Sequence, residues 1–272
     1  MTINLGPISF PAPMLALFIA ILLGTAAGNR LAARHGVSVE SALWWTIGGA
    51  IVTARAAFVL AYWSHYAAEP WRLIDIRDGG FKPLAGLVAA LVIGGVLALR
   101  HAAKRRAIAA GVGSGVVLWV LATGLASLAA PTQPLPAIIL VDLDGRPVPL
   151  TSFAGKPAVV NLWASWCPPC RREMPALMRA QQAHPDVAFV FVNQGESAAT
   201  IRQYLQAEDL RLSNVVLDPG GELPRATGSA GLPTTLFFDA KGVLVDQRVG
   251  ELSSATLAQR LAGMQRPQGG SK

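Results

Sequence analysis

Charged residues are scarce in this chain. Of its 272 residues, 14% are charged and 52% are hydrophobic, whereas charged residues make up about 25% of an ordinary soluble domain. We therefore expect part of the chain to lie in a membrane. Cysteine is scarcer still, since Cys167 and Cys170 are its two cysteines and the first 130 residues have none. A scaffold held together by several disulfides is excluded.

Acidic residues are scarce mainly in the first half, and this explains the net charge of +7. Residues 1–130 contain ten Lys or Arg and four Asp or Glu, whereas residues 131–272 contain thirteen and twelve. The basic excess thus lies among apolar segments, which is typical of membrane topology signals and not of a phosphate-binding face. We expect no nucleic-acid partner.

Long apolar runs dominate the first half. Each is close to the ~20 residues that cross a bilayer core as a helix. They predict four transmembrane helices, and thus the lipid bilayer as a partner, at 8–27, 42–62, 81–99 and 107–130. No Lys or Arg precedes the first run and three more runs follow it, so we interpret it as a retained helix and not as a signal peptide.

Loop charges predict the orientation of these helices. The loop after the first run carries Arg30 and Arg34, and the loop at 100–106 carries four Lys or Arg. On the opposite side, the N-terminal stretch is uncharged and the loop at 63–80 has balanced charges. Because cytoplasmic loops are enriched in Lys and Arg, we expect both termini outside a bacterial inner (cytoplasmic) membrane and the C-terminal half in the periplasm.

The second half has the pattern of one compact α/β domain. After the membrane domain at 1–130, the prolines of 131–137 predict a short linker. The domain is expected at 138–266, followed by a disordered tail at 267–272. A hairpin turning at Asp144-Gly145 precedes two buried strands, at 158–164 and 187–193. Helices are expected at about 168–184, 197–207 and 253–264, and further strands at 214–218 and within 234–250, which together predict a mixed sheet with helices on both faces.

The two cysteines lie in the stretch NLWASWCPPCRREMP, where a predicted strand leads into a predicted helix. At such a junction the sulfur of Cys167 is near unpaired amides and the positive end of the helix dipole, which favours the thiolate. Cys170, one turn further on the same face, is placed to attack a mixed disulfide at Cys167. A structural disulfide this short would stabilise little. A metal site stays an alternative, because copper(I) accepts two thiolates.

The stretch VVNLWASWCPPCRREMPAL, followed later by GLPTTLFFDAKG, resembles the TlpA/ResA branch of the thioredoxin family. The resemblance covers about residues 136–266. It implies a thioredoxin fold and a membrane-tethered thiol:disulfide oxidoreductase that acts outside the cytoplasm. It further implies that Pro233 follows a cis peptide bond, faces the cysteines and forms, with Leu232, part of the groove that binds the substrate backbone. Trp166 would belong to the same substrate-binding surface and shield the cysteine pair.

Glu173 matches the family's glutamate three residues past the second cysteine, and the resemblance implies that it manages the proton of Cys170. The alternative is a first-turn carboxylate stabilised by the helix dipole, and the sequence leaves both open. The buried aspartate of cytoplasmic thioredoxins falls at Asn161, which cannot titrate, so Glu173 is the better remaining proton carrier.

The dipeptide between the cysteines predicts the direction of the redox reaction. Pro168 and Pro169 offer a thiolate neither an N–H donor nor a positive charge. We therefore expect a reducing couple, nearer to thioredoxin at about −270 mV than to DsbA at about −120 mV.

The membrane half resembles the N-terminal part of prolipoprotein diacylglyceryl transferase in TARAAFVLAYWSHYAAEP and RDGGFKPLAG. The matching residues are Arg55, Tyr62, Pro70, Asp78, Gly79, Gly80 and Gly86. Leu84 stands where that family has an essential histidine, and its later helices with the remaining catalytic residues are missing, so we expect no transferase activity. Arg55 within a predicted span is either a functional residue or a packing arginine, because an arginine in lipid needs a partner or a wet cavity.

We therefore expect a membrane-anchored thiol:disulfide oxidoreductase that reduces disulfides of protein substrates through Cys167 and Cys170, without a metal or another cofactor. Three alternatives stay open: a disulfide oxidase or isomerase, a copper-binding chaperone, and a scaffold whose domain only recruits partners. Because the membrane half contains no cysteine, it cannot relay electrons by thiol exchange. We expect a separate membrane electron donor.

Overall fold

We describe the protein from a computed structural model, which describes residues 2–5, 8–67, 70–128, 133–229 and 231–264. The chain divides at about residue 130 into two compact units, with residues 75–79 counted with the second. The predicted tail at 267–272 and residues 131–132 of the predicted linker lie outside the described residues. The domain boundaries expected from the sequence stay a prediction.

Within the described residues, the first unit consists of a hairpin, five α-helices and a 3-10 helix at Pro70–Leu73. The hairpin pairs β1 (Thr2–Leu5) with β2 (Ile8–Pro11). The helices are α1 (Ala12–Arg34), α2 (Glu40–Ala61), α3 (Trp63–Tyr66), α4 (Pro83–Arg100) and α5 (Arg105–Leu128). Four of them, α1, α2, α4 and α5, are long and apolar enough to cross a membrane. The predicted set of four membrane helices is confirmed.

These helices expose large apolar side chains and pack on each other through glycine. Leu22, Trp45 and Leu99 are 67%, 75% and 86% exposed, as expected of side chains that face lipid. Helices α1 and α5 approach so closely that a Cβ atom on Gly24 would lie 2.8 Å from the carbonyl oxygen of Gly111. Small residues at such contacts are typical of membrane helix pairs.

The ends of the first helix differ from the sequence prediction. Residues 8–11 form β2 and not the start of a span, and Arg30 and Arg34 belong to α1 and not to a loop. Helical hydrogen bonding continues past the apolar run until Gly36, whose φ of +63° ends the helix. Arg105 and Arg106 likewise lie in the first turn of α5 and not in the preceding loop.

The second unit is built on a mixed sheet. Its strands and α-helices, among the described residues, are β3 (Ile139–Asp142), β4 (Pro147–Pro149), β5 (Ala158–Trp163), α6 (Pro168–Ala183), β6 (Ala188–Gln194), α7 (Ala198–Ala207), β7 (Val215–Asp218), α8 (Glu222–Thr227), β8 (Thr234–Phe238), β9 (Leu244–Val249) and α9 (Ser254–Met264). The strand order is β4-β3-β7-β6-β5-β8-β9. β5, β6 and β7 are parallel, and the other pairs are antiparallel. The predicted α/β thioredoxin fold is confirmed.

The central strands are buried on both faces, which is why their sequences are continuously apolar. Successive residues of β5 alternate between two core clusters. Val160 and Leu162 belong to one cluster, and Val159 and Trp163 belong to the other, which also contains both cysteines. The cysteine pair thus follows the carboxyl end of a fully buried strand.

Two features of the second unit were not predicted. The short helix α8 has no long apolar repeat, and it is stabilised by the carboxylate of Asp218, which accepts from the backbone N–H groups of Glu222 and Leu223. Residues 133–135 of the predicted linker pair with the start of β9, where Leu135 N–H donates to the carbonyl of Gly242 at 2.7 Å.

Candidate active site

Cys167 lies at the junction between β5 and α6. It is the N-cap residue of α6, with an extended backbone. Cys167 and Cys170 are joined by a disulfide, with Cα atoms 5.3 Å apart, so the pair is in its oxidised form. The Cys167 sulfur also accepts a hydrogen bond of 3.4 Å from the backbone N–H of Cys170. The structure thus places the pair at the strand end and helix start that the sequence predicted.

The residues between the cysteines leave the helix intact. Pro168 and Pro169 occupy its first two positions, where a missing N–H does no harm because these groups have no intrahelical partner. The first N–H available to the Cys167 sulfur is therefore that of Cys170. Cys167 is 4% exposed and Cys170 is fully buried, so Cys167 is the more accessible of the two.

The arginines that follow the pair are engaged with carboxylates. Arg171 pairs with Glu208, and Arg172 pairs with Glu251 at 2.7 Å. Because these positive charges are compensated, they contribute little to stabilising a thiolate at Cys167. The N-terminus of α6, which Cys167 caps, remains a source of positive potential at this sulfur.

Glu173 lies inside the domain and not on its surface. It is 1% exposed and lies beyond the first turn of α6, which contains no acidic residue. The interpretation of Glu173 as a first-turn carboxylate is therefore wrong. Its Oε1 accepts a hydrogen bond from Asn161 Nδ2 at 2.8 Å, and its Oε2 accepts one from the backbone N–H of Leu252 at 2.9 Å.

Burial determines the protonation of Glu173. Loss of solvation raises the pKa of this carboxyl group to about 8, although its two hydrogen bonds and the charge of Arg248 act to lower the pKa. The charge of Glu251 raises the pKa further. A carboxyl group that titrates near neutral pH therefore lies one helical turn beyond Cys170, which is typical of a residue that transfers protons.

Asn161 connects Glu173 to the neighbouring strand. It lies within β5, opposite Thr235 of β8, and its Nδ2 also donates to Thr235 Oγ1 at 3.0 Å. Asn161 is 1% exposed and Thr235 is fully buried. Among the described residues, no hydrogen-bond partner reaches Asn161 Oδ1, which is unusual for a buried amide oxygen.

The predicted substrate-binding residues lie at two places in the domain. The bond between Leu232 and Pro233 is cis, as the resemblance implies, and the Pro233 carbonyl accepts from Gly250 N–H at 2.8 Å. Leu232 is half-buried and packs against the core cluster that contains both cysteines. Trp166, next to Cys167, is 67% exposed, so most of its surface is open to a partner. Their roles in substrate binding stay predictions.

Glu196, which the sequence analysis did not identify, holds the loop before Cys167. Its carboxylate accepts from the backbone N–H of Ser165 at 2.7 Å, from the Ser165 hydroxyl, and from Asn193 Nδ2 at 2.7 Å. The parallel pairing of β5 with β6 brings the two loops together, because Trp163 lies opposite Asn193. The carboxyl ends of adjacent parallel strands meet at one edge of the sheet. The polar stretch after β6 could therefore have indicated that a side chain such as Glu196 lies near the cysteine loop.

Comparison with family models divides the chain near residue 130, as the structure does. Residues 130–261 match the Redoxin family. Residues 1–126 match the prolipoprotein diacylglyceryl transferase family. Each match covers slightly less than half of the chain.

Individual relatives resemble the second unit. The thiol-disulfide oxidoreductase ResA of Bacillus thuringiensis subsp. konkukian is 28% identical over 128 residues, which are 46% of this chain and 73% of that protein. The thioredoxin-like protein YneN of Bacillus subtilis is 32% identical over 133 residues, 47% of this chain and 77% of that protein. A solved structure of a thioredoxin-family thiol:disulfide interchange protein from Chlorobium tepidum has 29% identity and a TM-score of 0.44, over 50% of this chain and 97% of that one.

Proposed function

This chain belongs to the thioredoxin-like family of thiol-disulfide oxidoreductases, and we propose that it works as a reductase of protein disulfides outside the cytoplasm, anchored by its membrane helices. One observation carries the proposal: the more accessible of the two cysteines lies at a helix N-terminus and is followed, one turn further, by a fully buried cysteine and then by a buried carboxyl group whose pKa is raised to about 8. This order provides an attacking thiolate, a resolving thiol and a proton acceptor.

In the first step, the thiolate of Cys167 attacks one sulfur of the substrate disulfide. A bond forms between the two sulfurs, the substrate S–S bond breaks, and the leaving substrate thiolate takes up a proton. Cys167 is assigned this step because it is the more accessible cysteine and caps the positive end of α6.

In the second step, Cys170 loses its proton and attacks the Cys167 sulfur of the mixed disulfide. The Cys167–Cys170 disulfide forms, the bond to the substrate breaks, and the substrate leaves as a second thiolate. Glu173 in its carboxylate form accepts the Cys170 proton. Because burial raises the pKa of Glu173 to about 8, its carboxylate is a stronger base than that of an ordinary glutamate and is better suited to accept this proton.

The surroundings of Cys167 support reduction as the direction. Pro168 and Pro169 carry no charge, and the charges of Arg171 and Arg172 are compensated by carboxylates. A thiolate that is only moderately stabilised makes the reduced pair a good electron donor, because strongly stabilised thiolates are typical of oxidants. Trp166, Leu232 and Pro233 are proposed to bind the extended backbone of the substrate.

The electrons are proposed to come from a separate membrane carrier that reduces the Cys167–Cys170 disulfide. Direct thiol exchange requires sulfurs at contact distance, and the first 130 residues contain no cysteine. The four membrane helices would then serve as an anchor, with the second unit in the periplasm and the basic helix ends in the cytoplasm.

Sidedness can be tested with a membrane-impermeant thiol reagent. After reduction, Cys167 of the wild-type protein should be labelled in intact spheroplasts, because the domain is proposed to face outward. Labelling only after lysis would contradict the proposed orientation.

A matched control uses the opposite side of the membrane. Ala103→Cys, placed in a chain in which Cys167 and Cys170 are serine, introduces a thiol at an exposed position between α4 and α5. This thiol is expected to react only after lysis.

A further inference from the structure

The hydrogen bonds around Glu173 are those of its ionised form. Both carboxylate oxygens accept from N–H donors, Oε1 from Asn161 and Oε2 from Leu252. A protonated Glu173 must instead donate its O–H to an acceptor. The backbone N–H of Leu252 cannot accept a hydrogen bond, whereas the side-chain amide of Asn161 can accept one if its oxygen faces Glu173.

The side-chain amide of Asn161 can adopt two orientations, related by a half-turn, and its surroundings do not favour one of them. On one side, the Thr235 hydroxyl now accepts from Nδ2, but a hydroxyl group can equally donate. On the other side, Oδ1 has no partner among the described residues. A half-turn of the amide would place Nδ2 at that position, where it would equally lack a partner. The two orientations therefore make the same number of hydrogen bonds.

We propose that Asn161 is a positioning residue whose side-chain amide rotates between two orientations as the proton moves between Cys170 and Glu173. In the first orientation, Nδ2 donates to the Glu173 carboxylate and to the Thr235 hydroxyl, as in the structure. In the second, Oδ1 accepts from the carboxylic acid of Glu173 and from the Thr235 hydroxyl. Asn161 itself neither gains nor loses a proton.

This inference rests on the proposed function and deepens it. When Cys170 gives its proton to Glu173, the new O–H group finds an acceptor in the rotated amide. When the proton returns, the carboxylate recovers its donor. A buried carboxyl group that had a hydrogen-bond partner in only one protonation state would resist leaving that state, because an unpaired buried polar group is costly.

The other charged groups near Glu173 cannot perform this function. Glu251 pairs with Arg172, and Arg248 of β9 acts on Glu173 through its positive charge. The hydrogen bonds to the Glu173 carboxylate come instead from Asn161 and from the backbone of Leu252. Both groups affect how easily Glu173 ionises through their charges.

Nuclear magnetic resonance of the full chain in nanodiscs tests the rotation directly. The chain has five asparagines, so side-chain ¹⁵N labelling of Asn gives few signals, and that of Asn161 is assigned as the one lost in Asn161→Leu. In the oxidised protein, cross-peaks between the Asn161 amide protons and the Thr235 side chain are expected above the titration midpoint of Glu173. They should be lost below it. Cross-peaks of equal strength on both sides would overturn the proposal.

The titration of Glu173 in variants gives a second test. If Asn161 only donates, Asn161→Leu removes a hydrogen bond from the carboxylate alone and raises the midpoint by about 1 to 2 pH units. If the amide serves both forms, the midpoint moves by less than about 0.5 pH unit. Thr235→Ser, which keeps the hydroxyl, is the control and should retain the pH-dependent cross-peaks.

These measurements use the oxidised protein without substrate, so they are independent of the proposed reductase activity. A chain that reduces no protein disulfide but shows the rotation would contradict the proposed function alone. A chain that reduces disulfides with a fixed amide would contradict this inference alone.

Discussion

Cys167→Ser is expected to abolish disulfide exchange, whereas Cys170→Ser should accumulate mixed disulfides with substrate proteins. Serine at 167 removes the thiolate that attacks the substrate, so no covalent intermediate forms. Serine at 170 leaves the attack intact but removes the resolving thiol, which is buried directly behind Cys167. The intermediate then persists. Non-reducing gels of cells that express each full-length variant, followed by identification of the trapped proteins, measure this difference.

The double variant, with serine at both positions, is the control for background exchange. It should trap nothing and should show no activity. If Cys167→Ser and Cys170→Ser trapped equal amounts, the assignment of attack and resolution would be wrong. If the double variant supported wild-type substrate reduction in cells, the domain would act without its cysteines, as a scaffold does.

Glu173→Gln is expected to slow the resolving step by about 10²- to 10⁴-fold, the usual range for a positioned proton-transfer group. Glutamine keeps the size of the side chain but cannot accept the Cys170 proton. The loss should be greatest near neutral pH, where about one Glu173 in ten is ionised if its pKa is about 8. At high pH, where Cys170 ionises unaided, the variant should approach the wild type. Stopped-flow measurement of mixed-disulfide decay reports this step.

Glu173→Gln should also change how the stability of the oxidised protein depends on pH. The folded-state pKa of Glu173 is raised from 4.5 to about 8 by burial, so the folded state keeps its proton while the unfolded chain ionises. Between these values, this group lowers the free energy of unfolding by about 1.4 kcal/mol per pH unit. Below the lower value, both states are protonated and the penalty is absent. The glutamine variant lacks this penalty and should become the more stable protein as pH rises.

Glu251→Gln is the matched control, because it changes a nearby carboxylate that pairs with Arg172 on the surface. Exposed pairs contribute about 0 to 1 kcal/mol, and Glu251→Gln also removes a charge that raises the pKa of Glu173. This variant should therefore keep the loss of stability that the wild type shows as pH rises above about 5, over a slightly narrower pH range. If the glutamine variants at 173 and 251 behaved alike in both experiments, Glu173 would have no special role in proton transfer.

The position of the cysteine pair could be predicted because its signals are local. An apolar, β-branched run ends directly before the motif, and two prolines follow at helix positions where proline is tolerated. The cis bond at Pro233 followed from the family resemblance, which carries the long-range arrangement that local patterns lack.

The surroundings of Glu173 could not be predicted, because its partners come from distant parts of the chain. Leu252 is 79 residues away in sequence, and Thr235 is 74 residues from Asn161. Whether a carboxylate on a helix is buried depends on which strand and loop cover it, and no periodicity reports that. The sequence therefore left open a surface role for Glu173 that its burial excludes.

In the membrane half, the presence of the helices could be predicted but their ends could not. Its four helices were evident from apolar length, but their ends were misplaced by several residues at Arg30 and Arg34. Hydropathy reports where a helix is apolar, whereas backbone hydrogen bonds continue into charged turns until a residue such as Gly36 ends them. Gly36 itself could have indicated where this helix ends, because glycine is common directly after a helix C-terminus.

The reduction potential of the Cys167–Cys170 couple tests the proposed reductase function most directly. The full-length protein in detergent is equilibrated with thiol–disulfide buffers of graded potential, and the reduced fraction is read by alkylation and gel shift. Because Pro168 and Pro169 carry no charge and Arg171 and Arg172 pair with carboxylates, we expect a value close to that of thioredoxin, about −270 mV. A value near that of DsbA, about −120 mV, would make the protein an oxidant and would contradict its proposed function as a reductase.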